Sequence, residues 1–427
     1  MPINSEHPMY NSSTAKFVRD FNGGELTVKD NAKNYVSKLS GHDQKQFEDY
    51  VGRGSLIPAV KMAKVAVQGA IMRKPPTMDA VDSLDYLNHD VDGNQTKLNV
   101  FVSSLIGELL LAGGFGCLVE WEDKAVIKIY KRESVVNVGN SVVLSQNYYE
   151  QIDEYESEIK EELLELLLID GAYTQRVWRK NKKDWYVHEV VTPTNRGEPL
   201  GSIPFIYSNV DGLGFADTDP ILLDLTSLSL AQFRLSVDLR HGLHWTALPT
   251  WFAFGNFKDA EGNDKQISVG SGDFNVSGDT DARVELIEFS GAGLGAIDTE
   301  MKGVISAMAS AGAKLLSSDS GGVKAAETAR IDASSETATL STVANTIDTS
   351  MSALLEIIAD WSGVETPEFA VNRDFIDIKI DPQTLTAWLQ VYLSGSISLE
   401  TFLYQIEKGE GLQKGETAQD EVDRLEQ

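Results

Sequence analysis

Cysteine is nearly missing from this chain: Cys117 is the single thiol in 427 residues. A disulfide framework and a cysteine-based zinc site within one chain are thereby excluded. Positive charge is scarce too. Against 64 Asp and Glu stand 37 Lys and Arg, a formal net charge of −27. That balance argues against a general nucleic-acid binder that works by neutralising phosphates. It leaves room for a protein that lets a polyanion pass without gripping it, and for acidic charge that only maintains solubility. Long apolar runs are lacking as well. The longest, residues 109–119, contains three glycines and is too short to span a bilayer. The opening Met1-Pro2-Ile3-Asn4-Ser5-Glu6-His7 has no basic region followed by an apolar stretch. Neither a secretory signal nor a membrane anchor is expected.

Catalytic and metal-binding patterns are also wanting. His241 and His244 have metal-like spacing on a helical stretch, but no HExxH pair and no matching carboxylate motif accompany them, so packing is the expected role. Asp90-Val91-Asp92-Gly93-Asn94 opens like a calcium loop. Its sixth position is Gln95 rather than Gly and its twelfth is Phe101 rather than Glu, which reads as a surface turn. Gly291-Ala292-Gly293-Leu294-Gly295 precedes a helix but lacks GxGxxG spacing and a Walker lysine, so it reads as a junction. There is no GxSxG elbow. The expectation is a protein that is not an enzyme and needs no cofactor.

What is present is globular in balance, with 42% hydrophobic and 24% charged residues. The length suits two or three domains or one elaborate subunit of an assembly. Residues 1–35 are polar and rich in Asn and Ser, which predicts a flexible N-terminal arm that orders only on a partner. Helix is expected over 43–71, up to Lys74-Pro75-Pro76, and again over 97–112, where Leu98, Phe101, Val102, Leu105, Ile106, Leu109 and Leu110 share a face. Gly113-Gly114 would cap it. Strand-like runs follow at 116–121, 125–130 and 135–144. Residues 150–168, alternately acidic and leucine-rich, read as a helix or an exposed connection. Residues 177–178 and 185–191 predict a hairpin, and 202–206 a further extended piece. The first half is therefore a mixed α+β body.

The second half carries more information. Asp219 and Pro220 suit the start of a helix. Ile221, Leu222, Leu225, Leu228, Leu235, Leu239 and Leu243 then recur at three- and four-residue steps. A helix over 220–246 would be roughly 40 Å long. A β-rich excursion with Trp251, Phe252 and Phe254 follows, to about residue 290. A second long helix is expected from Leu294. Its small residues, among them Gly303, Ala307, Ala309 and Ala311, would let neighbouring helices approach closely. Ser317-Ser318-Asp319-Ser320-Gly321-Gly322 should break it, with Lys324 and Arg330 just beyond. A third helix is expected over 325–361, rich in Ser and Thr and so dependent on packing. A strand at 372–380 and short helices over 382–427, ending in an acidic tail, complete the reading.

In this order, Arg73-Lys74-Pro75-Pro76, Gly114-Phe115-Gly116-Cys117-Leu118-Val119-Glu120, Ser202-Ile203-Pro204-Phe205, Pro249-Thr250 after a long helix, and Gly395-Ser396-Ile397-Ser398 resemble the portal proteins of tailed bacteriophages. The branch is one long catalogued as a family of unknown function. The resemblance covers roughly residues 50–410 and implies the portal fold. Residues 36–214 would form a wing, 215–247 a first stem helix and 248–290 a β-containing clip. Residues 291–316 would form a second stem helix, 317–328 a tunnel loop, 329–381 the helix and strand returning to the wing, and 382–427 a small crown. It further implies a ring, usually of twelve subunits, at the capsid vertex of the virion, assembled in the host cytoplasm. Double-stranded DNA would pass through without sequence specificity. The terminase large subunit, a head–tail adaptor, and the major capsid and scaffolding proteins would be partners. Ser317 to Gly322, Lys324 and Arg330 would face the channel. Two rivals stay open: another head–tail structural protein such as an adaptor or collar, and a soluble hydrolase.

Overall fold

The computed structural model describes residues 3–427 except 11, 122, 183, 196, 248–249, 256, 258–280, 288–290, 317–337, 376–381, 395, 409–417, 420–421, 423 and 425–427. In chain order, the first part gives α1 (Ser13–Gly23), α2 (Glu25–Asp30), α3 (Gln44–Gly52), α4 (Ala59–Ile71), β1 (Thr77–Asp79) and α5 (Leu98–Ala112). A run of strands follows: β2 (Gly114–Trp121), β3 (Ala125–Lys131), β4 (Val135–Val138), β5 (Ser141–Gln151), β6 (Ser157–Ile169), β7 (Ala172–Asn181), β8 (Asp184–Val191), β9 (Thr194–Asn195), β10 (Glu198–Pro199), β11 (Phe205–Asn209) and β12 (Gly212–Leu213). Then come α6 (Leu223–Ala247), the hairpin β13 (Thr250–Phe254) and β14 (Arg283–Ile287), and α7 (Leu294–Leu316). The chain closes with α8 (Ala338–Ser362), β15 (Glu368–Ala370), α9 (Pro382–Leu393) and α10 (Leu399–Lys408). It divides into two compact units. The first holds residues 1–65, 107–118 and 128–315; the second holds 66–106, 119–127 and 316–427.

In the first unit the N-terminus departs from expectation. Residues 1–35 are not an arm: they carry α1 and α2. Ala15, Val18 and Phe21 recur at three-residue steps and are buried. Phe17, Phe21 and Tyr35 pack ring on ring, and the Tyr35 hydroxyl donates to buried Asp20 at 2.6 Å. Averaged polarity hid one apolar stripe. Arg19 bridges Glu108 and Glu133 and fixes α1 to the body. The single helix expected over 43–71 is two, because Gly54-Ser55-Leu56-Ile57-Pro58 runs extended between them. Asp43 and Gln46 form a reciprocal N-terminal box on α3.

The main sheet is antiparallel, in the order β4-β5-β6-β7-β8. Residues 150–168, read from sequence as a helix or connection, supply the end of β5, a turn and most of β6. The sheet buries residues on both faces. Leu144, Leu164, Leu166 and Tyr173 belong to one core, while Val143 and Leu163 belong to another with half-buried Trp178 and Trp185. Leu163 and Leu164 are thus adjacent and both buried, which breaks the alternation that marks a one-faced strand. β11 pairs with β2, Phe205 opposite Leu118 and Asn209 opposite Gly114. Gly113, in the left-handed region at φ 74°, ends α5 as expected. Cys117 is fully buried, which pushes its thiol pKa up and makes it unreactive.

In the second unit β1 pairs antiparallel with β15. Of the strand expected at 372–380, the described residues 372–375 carry none; the strand just before them is Glu368–Ala370. Residues 376–380 lie outside the described residues. Arg73 and Lys74 both bond Asp374. The turn at residues 90–96 holds itself together: Asp92 accepts from the Asn94 amide and the Thr96 hydroxyl, and Lys124 pairs with Asp90. Both carboxyl pKa values lie below the usual range. For Asp90 the chief cause is the Lys124 bond. For Asp92, burial acts upward, and bonds from Asn94 and Thr96 outweigh it. α8 buries Leu340, Val343, Ala344, Ile347, Met351, Leu354, Leu355 and Ile358, a stripe of helical period. Its Ser350 and Thr349 hydroxyls bond back to the carbonyls of Thr346 and Asn345. Tyr392 of α9 stacks on Phe402 of α10. Among the described residues, no helix is long and apolar enough to cross a membrane.

Candidate functional site

The long helices and hairpin of residues 219–316 are the part whose sequence looked most specialised. The start of α6 is held by a clasp. Arg132 is buried, and its guanidinium donates to the carbonyls of Ala112 (2.8 Å) and Thr218 and to the Asp217 carboxylate. The Gly113 carbonyl accepts from the Thr218 hydroxyl at 2.8 Å and from the Val210 amide at 3.2 Å. A Cβ at Gly113 would stand 2.6 Å from the Thr218 carbonyl oxygen. Asp219 and Pro220, expected to cap the helix, instead sit inside this clasp. The Leu223 amide bonds the Pro220 carbonyl as a single turn, and α6 begins at Leu223.

The first half of α6 is rooted by polar groups as much as by leucines. Ile57 donates its amide to Gln232, whose side-chain amide donates to the Ser55 carbonyl; both bonds are 3.1 Å. Ser236 accepts from the Ser55 amide at 2.9 Å and donates to the Ser55 carbonyl at 2.8 Å. The extended strap at 54–57 thus satisfies its backbone on helix side chains, as buried polar groups require. Gly54 permits this closeness, because any Cβ there would run into Val237 and Phe233.

The second half of α6 and all of α7 differ. No residue from 238 to 247 is buried. Over residues 294–312 of α7 only Met308 is buried. Ile297, Met301 and Val304 are half-buried on the same side. By the 3.6-residue period, Gly303, Ala307 and Ala311 fall on one flank of that side. Ala309 does not join them: it falls on the opposite flank, below Ile305, which is 36% exposed. The four small residues grouped in the sequence therefore make two surfaces. The hairpin between the helices pairs Thr250 with Ile287 and Phe254 with Arg283. Phe252 and Phe254 stack at 6.4 Å, and the Arg283 guanidinium lies 4.9 Å from the Phe254 ring. Both phenylalanines are well exposed. Trp251 lies on β13 between Thr250 and Phe252. Ser317, Ser318, Asp319, Ser320, Gly321, Gly322, Lys324 and Arg330 lie outside the described residues.

His241 and His244 do not converge on a metal-like geometry. His241 packs against Tyr50 and His42, and its Nε2 accepts from the Trp245 indole at 3.0 Å. Among the described residues, no group of three or more His, Cys, Asp or Glu could hold a metal ion. Burial lowers the His241 pKa, and Arg53, His42 and His244 lower it further against an opposing pull from Asp238. Tyr50 donates to Asp238; burial first and that bond second push its phenol up. The sign for stability follows. A histidine held below its unfolded value, about 6.5, contributes stability that is complete above that value and lost as pH falls through the folded one. Protonated Nε2 could no longer accept from Trp245. Amide exchange over residues 238–247, corrected for intrinsic rate, is expected to hold steady down to about pH 6.5 and to accelerate below it. In His241→Gln the acceleration should be much smaller; an unchanged pH profile would remove the role assigned to His241.

Arg132 and Gly54 were not singled out in the sequence. A lone arginine after a strand and one glycine between helices carry no local pattern that marks them.

A family model described as a domain of unknown function, DUF4055, matches residues 221–362. That span begins two residues before α6 and ends on the last residue of α8. No curated protein matches the chain. Among solved structures, the chain is similar to one from the virion of a native gene transfer agent particle, with 12% identity, TM-score 0.43, and coverage of 91% of this chain and 98% of that one. It is also similar to one from the neck of the empty particle computed with C6 symmetry, with 12% identity, TM-score 0.41, and 88% and 96% coverage. A third, from the neck of the native particle computed with C12 symmetry, gives 11% identity, TM-score 0.41, and 90% and 99% coverage.

Proposed function

We propose that this protein is a portal subunit of a tailed phage or phage-like particle. It forms a ring at one vertex of the head and a channel for DNA during packaging and ejection. The observation that carries the reading is α7. It is 23 residues long, yet between residues 294 and 312 it buries one side chain and leaves two unlike, weakly polar flanks open. A subunit in a closed ring has two neighbours and meets them through two different surfaces. The order of elements supports the same reading: a rooted long helix, a hairpin with exposed aromatics, a second long helix, then α8. That order was expected from the motifs that resemble portals.

In this reading α6 and α7 are the stem, β13 and β14 belong to the clip, and Phe252 and Phe254 face a terminase or adaptor. The net charge of −27 per copy keeps the duplex from adhering to the wall, since every neutralised phosphate would add affinity. Lys324 and Arg330 give sparse contacts to passing phosphates. Light scattering and negative-stain imaging of the purified chain test the assembly: a ring with a central hole is expected, and a monomer at all concentrations would end the proposal. Replacing Lys324 and Arg330 together by Ala should change packaged genome length or retention while rings persist. Unchanged packaging and retention would remove their role.

A further inference from the structure

The five-stranded sheet of the first unit has an open edge at β8 and, on the opposite side, a β5 that β4 covers over only part of its length. On one side β8 is the terminal strand. Apart from its pairing with β7, no backbone bond from another described element reaches residues 184–191. All of β8 except half-buried Trp185 is exposed, although it carries Tyr186, Val187, Val190 and Val191. An apolar strand with an open edge is a template for pairing with another chain. On the other side β4 stops early, pairing with β5 only as far as Leu144. Among the described residues, the backbone of 145–151 of β5 therefore pairs with β6 alone, while the Gln146 side chain accepts from the Tyr130 hydroxyl at 2.9 Å.

The two edges differ in charge. The hairpin tip, residues 150–158, carries Glu150, Asp153, Glu154, Glu156 and Glu158 and no cation. The chain enters β8 through Arg179, Lys180 and Lys182. Arg179 is occupied by Glu162 and the Tyr148 ring. Lys180 lies over Trp185 and, like Lys182, has no carboxylate partner among the described residues.

We propose that β5 of one copy pairs with β8 of the next, so that the sheet continues from subunit to subunit. This rests on the ring reading above and names a contact within it. Each neighbouring pair from β5 to β8 is antiparallel, so β5 and β8 run in opposite directions. A rotation about an axis along the strands preserves those directions, and the new pair is antiparallel too. The register fits over residues 184–187 of β8, which would lie along 145–148; residues 188–191 must diverge from β5, because β4 already holds 142–144. Ser145, Leu163, Trp178 and Val187 stand on one row across the sheet. With no rise between copies, Ser145 of one faces Val187 of the next, and the acidic tip lies beside Lys182. Opposite charges then fix which edge meets which.

The test uses paired cysteines. Ser145→Cys or Asn147→Cys is combined with Val187→Cys in one chain and oxidised. Within one copy β5 and β8 are three strand spacings apart, about 14 Å, beyond the roughly 7 Å reach of a disulfide. The lone native thiol is buried. At least one pair should give a ladder of covalent multimers on non-reducing gels that collapses on reduction, while each single variant stays uncrosslinked. Monomer bands from both pairs would overturn the proposal, as would dimers from Val187→Cys alone, which would mean that β8 pairs with itself. A second arm guards against misfolding. Lys180→Glu with Lys182→Glu should raise the concentration needed for assembly about tenfold. Adding Glu154→Lys with Glu156→Lys in the same chain should restore it; indifference to both reversals counts against the contact. The mass of the unaltered chain scores the ring reading separately. A ring without a ladder removes the edge pairing alone, and a ladder without closure removes the ring alone.

Discussion

Replacing Arg132 by Met is expected to lower the stability of the first unit by about 2–3 kcal/mol. The guanidinium is buried and serves two main-chain carbonyls and Asp217. Methionine fills part of the volume but offers no donor. The carbonyls of Ala112 and Thr218 then lack their charged donor in a closed environment. Asp217 is the milder part of the loss, because its side chain is 43% exposed and can be rehydrated; this keeps the figure below that for a fully enclosed pair. A loss of that size corresponds to a drop in melting temperature of about 5–10 °C. Thermal denaturation checks it. Hydrogen exchange should locate the damage at residues 217–223, where α6 enters. A variant melting within a degree or two of the parent would mean that the clasp is incidental and that the leucines of α6 suffice.

Ala309→Trp is expected to abolish the ring while leaving the subunit folded. Ala309 is exposed on the flank of α7 that carries Ile305, so an added indole meets no side chain of its own copy. Surface changes of this kind usually alter stability by less than about 0.5 kcal/mol. In the proposed ring, the same indole would have to enter a contact that Ala309 makes through a methyl group, and interlocking helices tolerate little extra volume. Circular dichroism and melting temperature should match the parent, while light scattering and negative-stain images should show monomers. Ala307→Trp, on the other flank, is expected to do the same from the opposite side. Intact rings from both variants would remove α7 from the subunit interface.

Much of the helical plan was legible because it depends on period alone. Leu222, Leu225 and the leucines that follow mark α6, and α5 and α8 show the same spacing. Such stripes survive in a sequence because one face of each helix must be apolar. Other features depend on contacts distant along the chain. α1 is written in only Ala15, Val18 and Phe21 within a polar stretch, and its burial depends on residues beyond the local window. β6 was obscured because a strand buried on both faces loses its alternation. The strap at 54–57 was read as helix, since nothing local shows that Gln232 and Ser236 replace its helical hydrogen bonds. At the candidate site, the small residues of α7 were visible in the sequence, but their division into two flanks needed the buried position of Met308 for reference. Arg132 could not have been found, because an arginine announces its role only through the carbonyls that surround it.

The scant burial along α7 has a consequence for how copies come together. A solitary chain must keep a rod of about six turns wound with little support from its own body. That rod and the open edge of β8 offer proteases and misdirected chains a point of entry in a solitary chain. In the proposed ring, folding and association would be linked by mass action, so the lifetime of the subunit would depend on how much chain is present, with a critical concentration below which it is short-lived.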